Sequence, residues 1–200
     1  MINNNSVIVK LKGRLGNVLF QIAAALTYAT KYNKNLYLFI GDGGGWVEYY
    51  KLYYDFIKKF HIISFQELNN IGGIFFHENE PSHEYTEFPN VYEENIILDG
   101  YWQDVRYIDF NLVLPNFMCS ENIIENIKNR LNIENYHDYV FLSIRHGLDY
   151  QNYNVALSME WFEEVYNEYF SDKKAIIATD DVLFVEKKLK YKEQNYYSNV

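Results

Sequence analysis

Val7-Ile8-Val9-Lys10-Leu11-Lys12-Gly13-Arg14-Leu15-Gly16-Asn17, followed by the Ala-rich stretch Leu19 to Thr30, is the segment whose reading decides the fold. The β-branched run predicts a strand, Gly13 to Asn17 a tight turn, and Leu19, Phe20, Ala23, Ala24, Leu26 and Thr27 at helical spacing a helix, with Asn17 placed to cap it. Two glycines let the backbone turn sharply and approach a ligand closely, while the helix behind them aims N–H groups over the turn. Such a place suits an anion. The spacing is neither the GxGxxG of dinucleotide sites nor the GxxxxGK[ST] of phosphate-binding loops.

Working outward, Asn35 to Ile40 reads as a second strand, which makes a βαβ unit and implies parallel pairing. Gly41-Asp42-Gly43-Gly44-Gly45 follows as a loop at its carboxyl end, where open α/β sheets bind ligands. Residues 46–60 carry a helix-like pattern, Ile62 to Phe65 reads as a short strand, and 69–94 as loops and short strands broken by Gly72-Gly73, Pro81 and Pro89. Ile96-Ile97-Leu98 is a buried strand ending at Asp99-Gly100, and Tyr101-Trp102-Gln103-Asp104 opens the next turn or helix. Ser120 caps a helix with Ile123, Ile124, Ile127 and Leu131 on one face. The polar stretch Asn132 to Asp138 then predicts a boundary between domains 1–135 and 136–200. Beyond it the pattern restarts: strand Tyr139 to Ile144, turn Arg145 to Tyr150, helix Ser158 to Phe170, strand Ala175 to Thr179, and a helix from Asp180-Asp181 to Lys190.

The chain's 200 residues, 48% hydrophobic and 22% charged, suffice for a sizeable core in one large domain or two small ones. A net charge of −9 argues against a nucleic-acid partner or an anionic membrane surface, both of which need a broad positive face. The polar N-terminus has no signal-peptide pattern, and no window approaches the roughly 20 apolar residues of a membrane span, so the expectation is a soluble, cytoplasmic protein. Cys119 is the lone cysteine, unable to pair within the chain, and reads as a buried free thiol. His61, His77, His83 and His137 lack ligand spacing and read as surface or packing residues.

Three constellations sit where strands end: Gly13 to Asn17, Arg145 to Asp149, and Asp180-Asp181. On parallel sheets such ends lie on common edges. Arg145, directly after an apolar strand, can fork onto two phosphate oxygens, or else pair with Asp149 or Asp180. Asp180-Asp181 reads first as a helix cap and only second as a metal-binding pair. Among the tryptophans, Trp102 is the best candidate for a platform under an acceptor sugar; Trp161, at a helical core position, is the least suited.

These residues carry a resemblance. Gly13 to Leu26, GRLGNVLFQIAAAL, resembles the GRLGNQLFQYAAAL signature of the family 11 glycosyltransferases, the α-1,2-fucosyltransferases. Leu98 to Tyr107 resembles that family's LxGYFQSEKY, Phe141 to Tyr150 its VxVHIRRGDY, Leu157 to Phe162 its LSxEYY, and Ile177 to Val182 its IFSDDI, all in the family's order. The resemblance implies an α/β fold of GT-B type, two Rossmann-like domains with mostly parallel sheets, the second shortened. It also implies inverting, metal-independent transfer of L-fucose from GDP-fucose, as substrate rather than cofactor, to a glycan hydroxyl, usually O2 of galactose. Carried over residue by residue, Arg145 holds the donor diphosphate and Asp149 is the motif's acid. Gly13, Arg14, Gly16, Asn17, His146, Asp180 and Asp181 serve the donor, and Trp102 and Gln103 the acceptor.

Departing from the family, Ser143 replaces a His, His146 the second Arg, and Leu148 is inserted before Asp149. The general base stays open among Asp149, Asp180 and Asp181. The competing reading is a remnant that binds a nucleotide sugar or glycan without transfer. A Rossmann oxidoreductase is disfavoured because GxGxxG and its partner acid are absent.

Overall fold

Ser6–Leu11 forms the central strand β1 because apolar residues on both of its faces find cover, with Val7, Val9 and Leu11 on one side and Ile8 on the other. The computed structural model describes residues 5–41, 56–79, 84–91, 94–118, 120–147, 156–188 and 197–199. Asp42 to Gly45, Trp46 and most of the stretch 46–60, His83, Cys119, and Leu148 to Tyr150, with Asp149 among them, lie outside these described residues. The chain divides into two units, Met1–Met118 and Cys119–Val200.

In the first unit β1 leads to α1 (Leu15–Lys31), β2 (Asn35–Ile40), β3 (His61–Ile63), α2 (Phe65–Asn70), β4 (Ile74–His77) and β5 (Ile96–Asp99). The five strands are all parallel, in the order β3-β2-β1-β5-β4. From β1 the chain steps outward through β2 to β3, crosses to the far edge at β4, and returns beside β1 at β5. The β1/β5 seam is therefore where the winding reverses, and open α/β sheets bind ligands at the carboxyl ends of such a seam. One face of the sheet buries Val18, Ile22, Ala25 and Tyr28 of α1 against Val9, Leu38 and Leu98, and the other packs Leu68 of α2 on Ile8, Phe39, Ile63 and Ile97. Burial on both faces explains why the inner strands β1, β2 and β5 read as continuous apolar runs rather than alternating ones. A single 3₁₀ turn (Val105–Tyr107) and α3 (Phe110–Phe117) complete the unit.

The second unit carries α4 (Glu121–Leu131), β6 (Tyr139–Ile144), α5 (Met159–Tyr169), β7 (Lys174–Thr179), α6 (Val182–Lys188) and β8 (Tyr197–Asn199), with β6, β7 and β8 in one parallel sheet. Ile144, Met159, Phe162, Ile177 and Val185 form its core. Both units are thus α/β with parallel sheets and Rossmann-like winding. The division falls after Met118, ahead of α4, where the polar stretch behind that helix suggested residue 135. No residue of α4 is buried, and its expected apolar face, Ile123, Ile124 and Ile127, is exposed. Trp161 also departs from expectation: it is 44% exposed, because α5 buries Met159 and Phe162 instead and Trp161 meets Phe162 only edge-on. Among the described residues no helix is long and apolar enough to cross a membrane.

Candidate functional site

At the carboxyl end of β1, Gly13 turns the chain with φ +82, a conformation that L side chains rarely adopt, and α1 starts at Leu15. A Cβ on Gly13 would collide with the Asn17 side chain. The helix begins earlier than its apolar spacing suggests, so Asn17 is not its cap: Arg14 takes that place, without a capping side-chain hydrogen bond, and Asn17 lies in the first turn. Instead, Asn17 Oδ1 accepts a hydrogen bond from Gln103 Nε2 at 2.8 Å, joining the ends of two neighbouring strands. Gln21, fully buried in α1, holds the strand end from behind: its Oε1 accepts from the Lys12 amide at 3.0 Å and its Nε2 donates to the Lys12 carbonyl at 2.9 Å. A glutamine in an otherwise apolar helix stretch is the signal by which sequence could have found it.

At the end of β5, Asp99 accepts from Lys10 Nζ at 2.5 Å, with Lys12 at 3.6 Å and His77 at 3.7 Å. Burial pushes the Asp99 carboxyl up, but the Lys10 hydrogen bond and the charges of Lys10, Lys12 and His77 bring it below its ordinary value. Lys12 also lies over the Tyr101 ring, 4.7 Å from its centroid. The next three residues are set by Glu78, a buried carboxylate that accepts from the Tyr101 amide at 2.6 Å and the Trp102 amide at 3.1 Å. Gly100 is required here, since a Cβ would lie 2.5 Å from Glu78 Cβ and 2.8 Å from the Trp102 ring. Nothing in the sequence flagged Glu78.

Trp102 does not form a platform. It is fully buried with φ 53, stacked on Phe76 at 5.7 Å and edge-on to Phe88 at 5.1 Å and Tyr107 at 5.5 Å. The Glu78 clamp turns the backbone so that this indole enters the core, while Gln103, one residue on, stays exposed. A pocket of about 70 Å³ beside Tyr28, Tyr85, Arg106 and Tyr107 has room for a few water molecules only. Two of its tyrosines are committed to backbone carbonyls, Tyr28 to Pro89 and Tyr107 to Thr86.

In the second unit, the register that pairs Ile144 with Thr179 brings the residues after β6 beside those after β7. Asp180 Oδ1 accepts from the amides of His146 at 2.7 Å and Gly147 at 3.0 Å, and Arg145 Nε approaches Asp180 Oδ2 at 3.4 Å. The pairing anticipated as an alternative for Arg145 is therefore present, and it leaves the guanidinium held at the strand's end. Burial raises the Asp180 carboxyl, yet the two amides and Arg145 hold it below the ordinary carboxylate value. Asp181 caps α6: its Oδ1 accepts from the Phe184 amide at 3.0 Å, and its own amide donates to Thr179 Oγ1 at 3.0 Å. Asp181 Oδ2 lies 3.2 Å from His146 Nδ1, and the His146 ring is stacked on Phe184 with centroids 3.5 Å apart and planes 4° from parallel. The acidic pair thus shapes a turn, starts a helix and sets one carboxylate oxygen against the His146 ring.

No protein-family model matches the chain, and no curated protein sequence does. Solved structures of similar fold do exist. The fucosyltransferase NodZ from Bradyrhizobium superposes with a TM-score of 0.53 at 16% identity, over 97% of this chain and 78% of that one. NodZ α-1,6-fucosyltransferase co-crystallized with GDP gives 0.53 at 15% identity, over 98% of this chain and 78% of that one. The same enzyme soaked with GDP-fucose gives 0.51 at 15% identity, over 98% and 77%. At such identity the likeness is one of fold, and these neighbours are α-1,6-fucosyltransferases, whereas the sequence motifs resemble the α-1,2 family.

Proposed function

We propose that this chain is a fucosyltransferase that passes L-fucose from GDP-fucose to a hydroxyl of a glycan acceptor. The observation that carries this reading is the turn after β6, where the Arg145 guanidinium stands at the carboxyl end of a parallel strand, touching Asp180 through Nε alone at 3.4 Å, while that acid gathers two backbone amides. Breaking the bond between sugar and GDP leaves negative charge on the departing diphosphate, and a cation held in advance stabilises that charge as it develops. One charge-assisted contact of this kind contributes roughly 1.5–3 kcal/mol. The fold shared with NodZ along nearly the whole chain supports the same reading.

In this proposal the family 11 motifs assign the finer chemistry: inversion at the transferred carbon, no metal, and O2 of galactose as acceptor. Gly13, Arg14, Gly16 and Asn17 serve the donor. Gln103, through its hydrogen bond to Asn17, belongs to the same polar group and offers a carboxamide to sugar hydroxyls. Asp149 keeps the acidic role that the motif gives it.

The test is incubation of the purified chain with labelled GDP-fucose and galactosides blocked at O2 or at O6. Transfer is expected to fail with the O2-blocked acceptor and to fall at least about tenfold in Arg145→Ala, the loss of one charged contact. Transfer that fails only when O6 is blocked reassigns the linkage. GDP binding without transfer to any acceptor marks a binding protein, and no GDP binding at all overturns the reading.

A further inference from the structure

We propose that the carboxamides of Asn17 and Gln103 act as one unit that reads the cis O3,O4 diol of the acceptor galactose; the inference rests on the fucosyl-transfer reading above. It moves one side chain within that reading, since the motif gives Asn17 to the donor. The juxtaposition is made by the β1/β5 seam. Asn17 stands in the first turn of α1, just past the end of β1, and Gln103 follows the end of β5, where its Nε2 donates to Asn17 Oδ1 at 2.8 Å.

Two carboxamides joined by one hydrogen bond have a fixed remainder. Each brings one C=O and one NH₂, so once a C=O of one has met the NH₂ of the other, the couple still presents one C=O and one NH₂. Turning both amides end for end exchanges which residue supplies which and leaves that remainder the same. Among the described residues it makes no further hydrogen bond. A hydroxyl both donates and accepts, and two adjacent hydroxyls match the remainder: one gives its hydrogen to the C=O while the oxygen of its neighbour takes an N–H. The couple carries no charge, so it does nothing to offset a diphosphate and suits neutral sugar hydroxyls. The acceptor galactose and the fucose of the donor both carry them. The Arg145 turn that grips the donor in this reading belongs to the second unit and the couple to the first, which favours the acceptor. With O2 of galactose receiving fucose, O3 and O4 are the adjacent pair left to be held.

The backbone is kept in costly shapes around this couple. Gly13 takes φ +82 and leaves no room for a Cβ beside Asn17, while Gln21 grips both backbone groups of Lys12 from behind. Trp102 takes φ 53 directly before Gln103, in the left-handed region that a bulky side chain rarely enters. Its Nε1 is also the one buried side-chain nitrogen or oxygen without a hydrogen-bond partner among the described residues. Strain and unmet polar groups of this kind gather where geometry serves a ligand. Glu78 maintains the turn through the Tyr101 and Trp102 amides, so the chain reaches Gln103 in a set direction.

The experiment measures kcat and KM for labelled transfer to methyl galactoside and to its 3-deoxy and 4-deoxy forms, and GDP affinity by calorimetry, in the unaltered chain, Gln103→Ala and Asn17→Ala. Thermal melts confirm that each variant is folded, and the exposed Gln103 carries the test alone should the Asn17 variant fail. In the unaltered chain each missing hydroxyl is expected to lower kcat/KM by about 3- to 10-fold, the range for one neutral hydrogen bond. Each variant is expected to lose a similar factor on the intact galactoside, with KM for GDP-fucose and GDP affinity held within about twofold. The deoxy acceptors are then expected to cost the variants no more than about twofold further, because removing the hydroxyl and removing the carboxamide delete the same bond. A merely structural role would leave the deoxy penalties at full size. The proposal is overturned by full deoxy penalties in the variants, by no deoxy penalty in the unaltered chain, or by a loss confined to KM for GDP-fucose, which would assign the couple to the fucose hydroxyls. An unaltered chain that binds no GDP, or binds it and transfers nothing, overturns the parent reading instead, so the two failures are distinct.

Discussion

Replacing Asp180 by Ala removes three acceptor contacts at once, to the His146 and Gly147 amides and to Arg145, and should weaken GDP binding by about tenfold as the guanidinium loses its fixed position. Asp180→Asn keeps an oxygen for the two amides but turns an N–H toward Arg145, so calorimetry should place it between Ala and the unaltered chain. Equal affinities in all three would mean that the turn holds itself. The acid has a second signature. Its folded pKa lies below its ordinary value, so its contribution to stability is fully present above the unfolded carboxylate value of about 3.9 and is lost as pH falls from there toward the folded one. Melting temperature followed from pH 7 down to pH 3 should therefore drop less steeply in Asp180→Asn than in the unaltered chain. The strand ends at which Arg145 and Asp180 sit were both legible in the sequence, because an apolar run that stops marks them. Trp102 was not: an aromatic after Asp99-Gly100 looks the same whether the next turn sends it outward or, as Glu78 dictates, into the core.

The strand–turn–helix element depends on Gly13. Gly13→Ala would place a Cβ against the Asn17 side chain at a φ unsuited to alanine, costing about 1–3 kcal/mol and separating Asn17 from Gln103. A denaturation midpoint within error of the unaltered chain would contradict that account. β1, β2, β5, β6 and β7 were all read correctly from their apolar runs, which in β1 and β5 reflect burial along most of the strand, whereas β6 keeps the run with only Ile144 fully covered. β8 left none, being three residues long. α4 misled in another way. Its isoleucines recur at helical spacing and Ser120 precedes it, so the helix was legible, but periodicity says only that an apolar face exists, not that anything covers it.

At the scale of the whole molecule, sequence indicated two α/β units but not how the strands of the first are ordered. The crossover from β3 to the far edge places β5, rather than a strand nearer in sequence, beside β1, and that pairing brings Gln103 to Asn17. No local pattern encodes such a choice; it follows from which apolar faces must be covered together. Ligand binding should also be readable molecule-wide. GDP at 100 times its dissociation constant stabilises the state that binds it by about 2.7 kcal/mol. Hydrogen exchange should then slow in the amides of β6, β7 and the 145–147 turn, and unchanged exchange there would argue against Arg145 as the diphosphate grip. Under the proposed fucosyl-transfer reading, the Glu78 clamp sets the rules of a randomised library meant to retune the acceptor. Gly100, Glu78 and Trp102 interlock too tightly to vary one at a time, so diversity belongs at Gln103, whose side chain can change without unthreading the backbone beneath it.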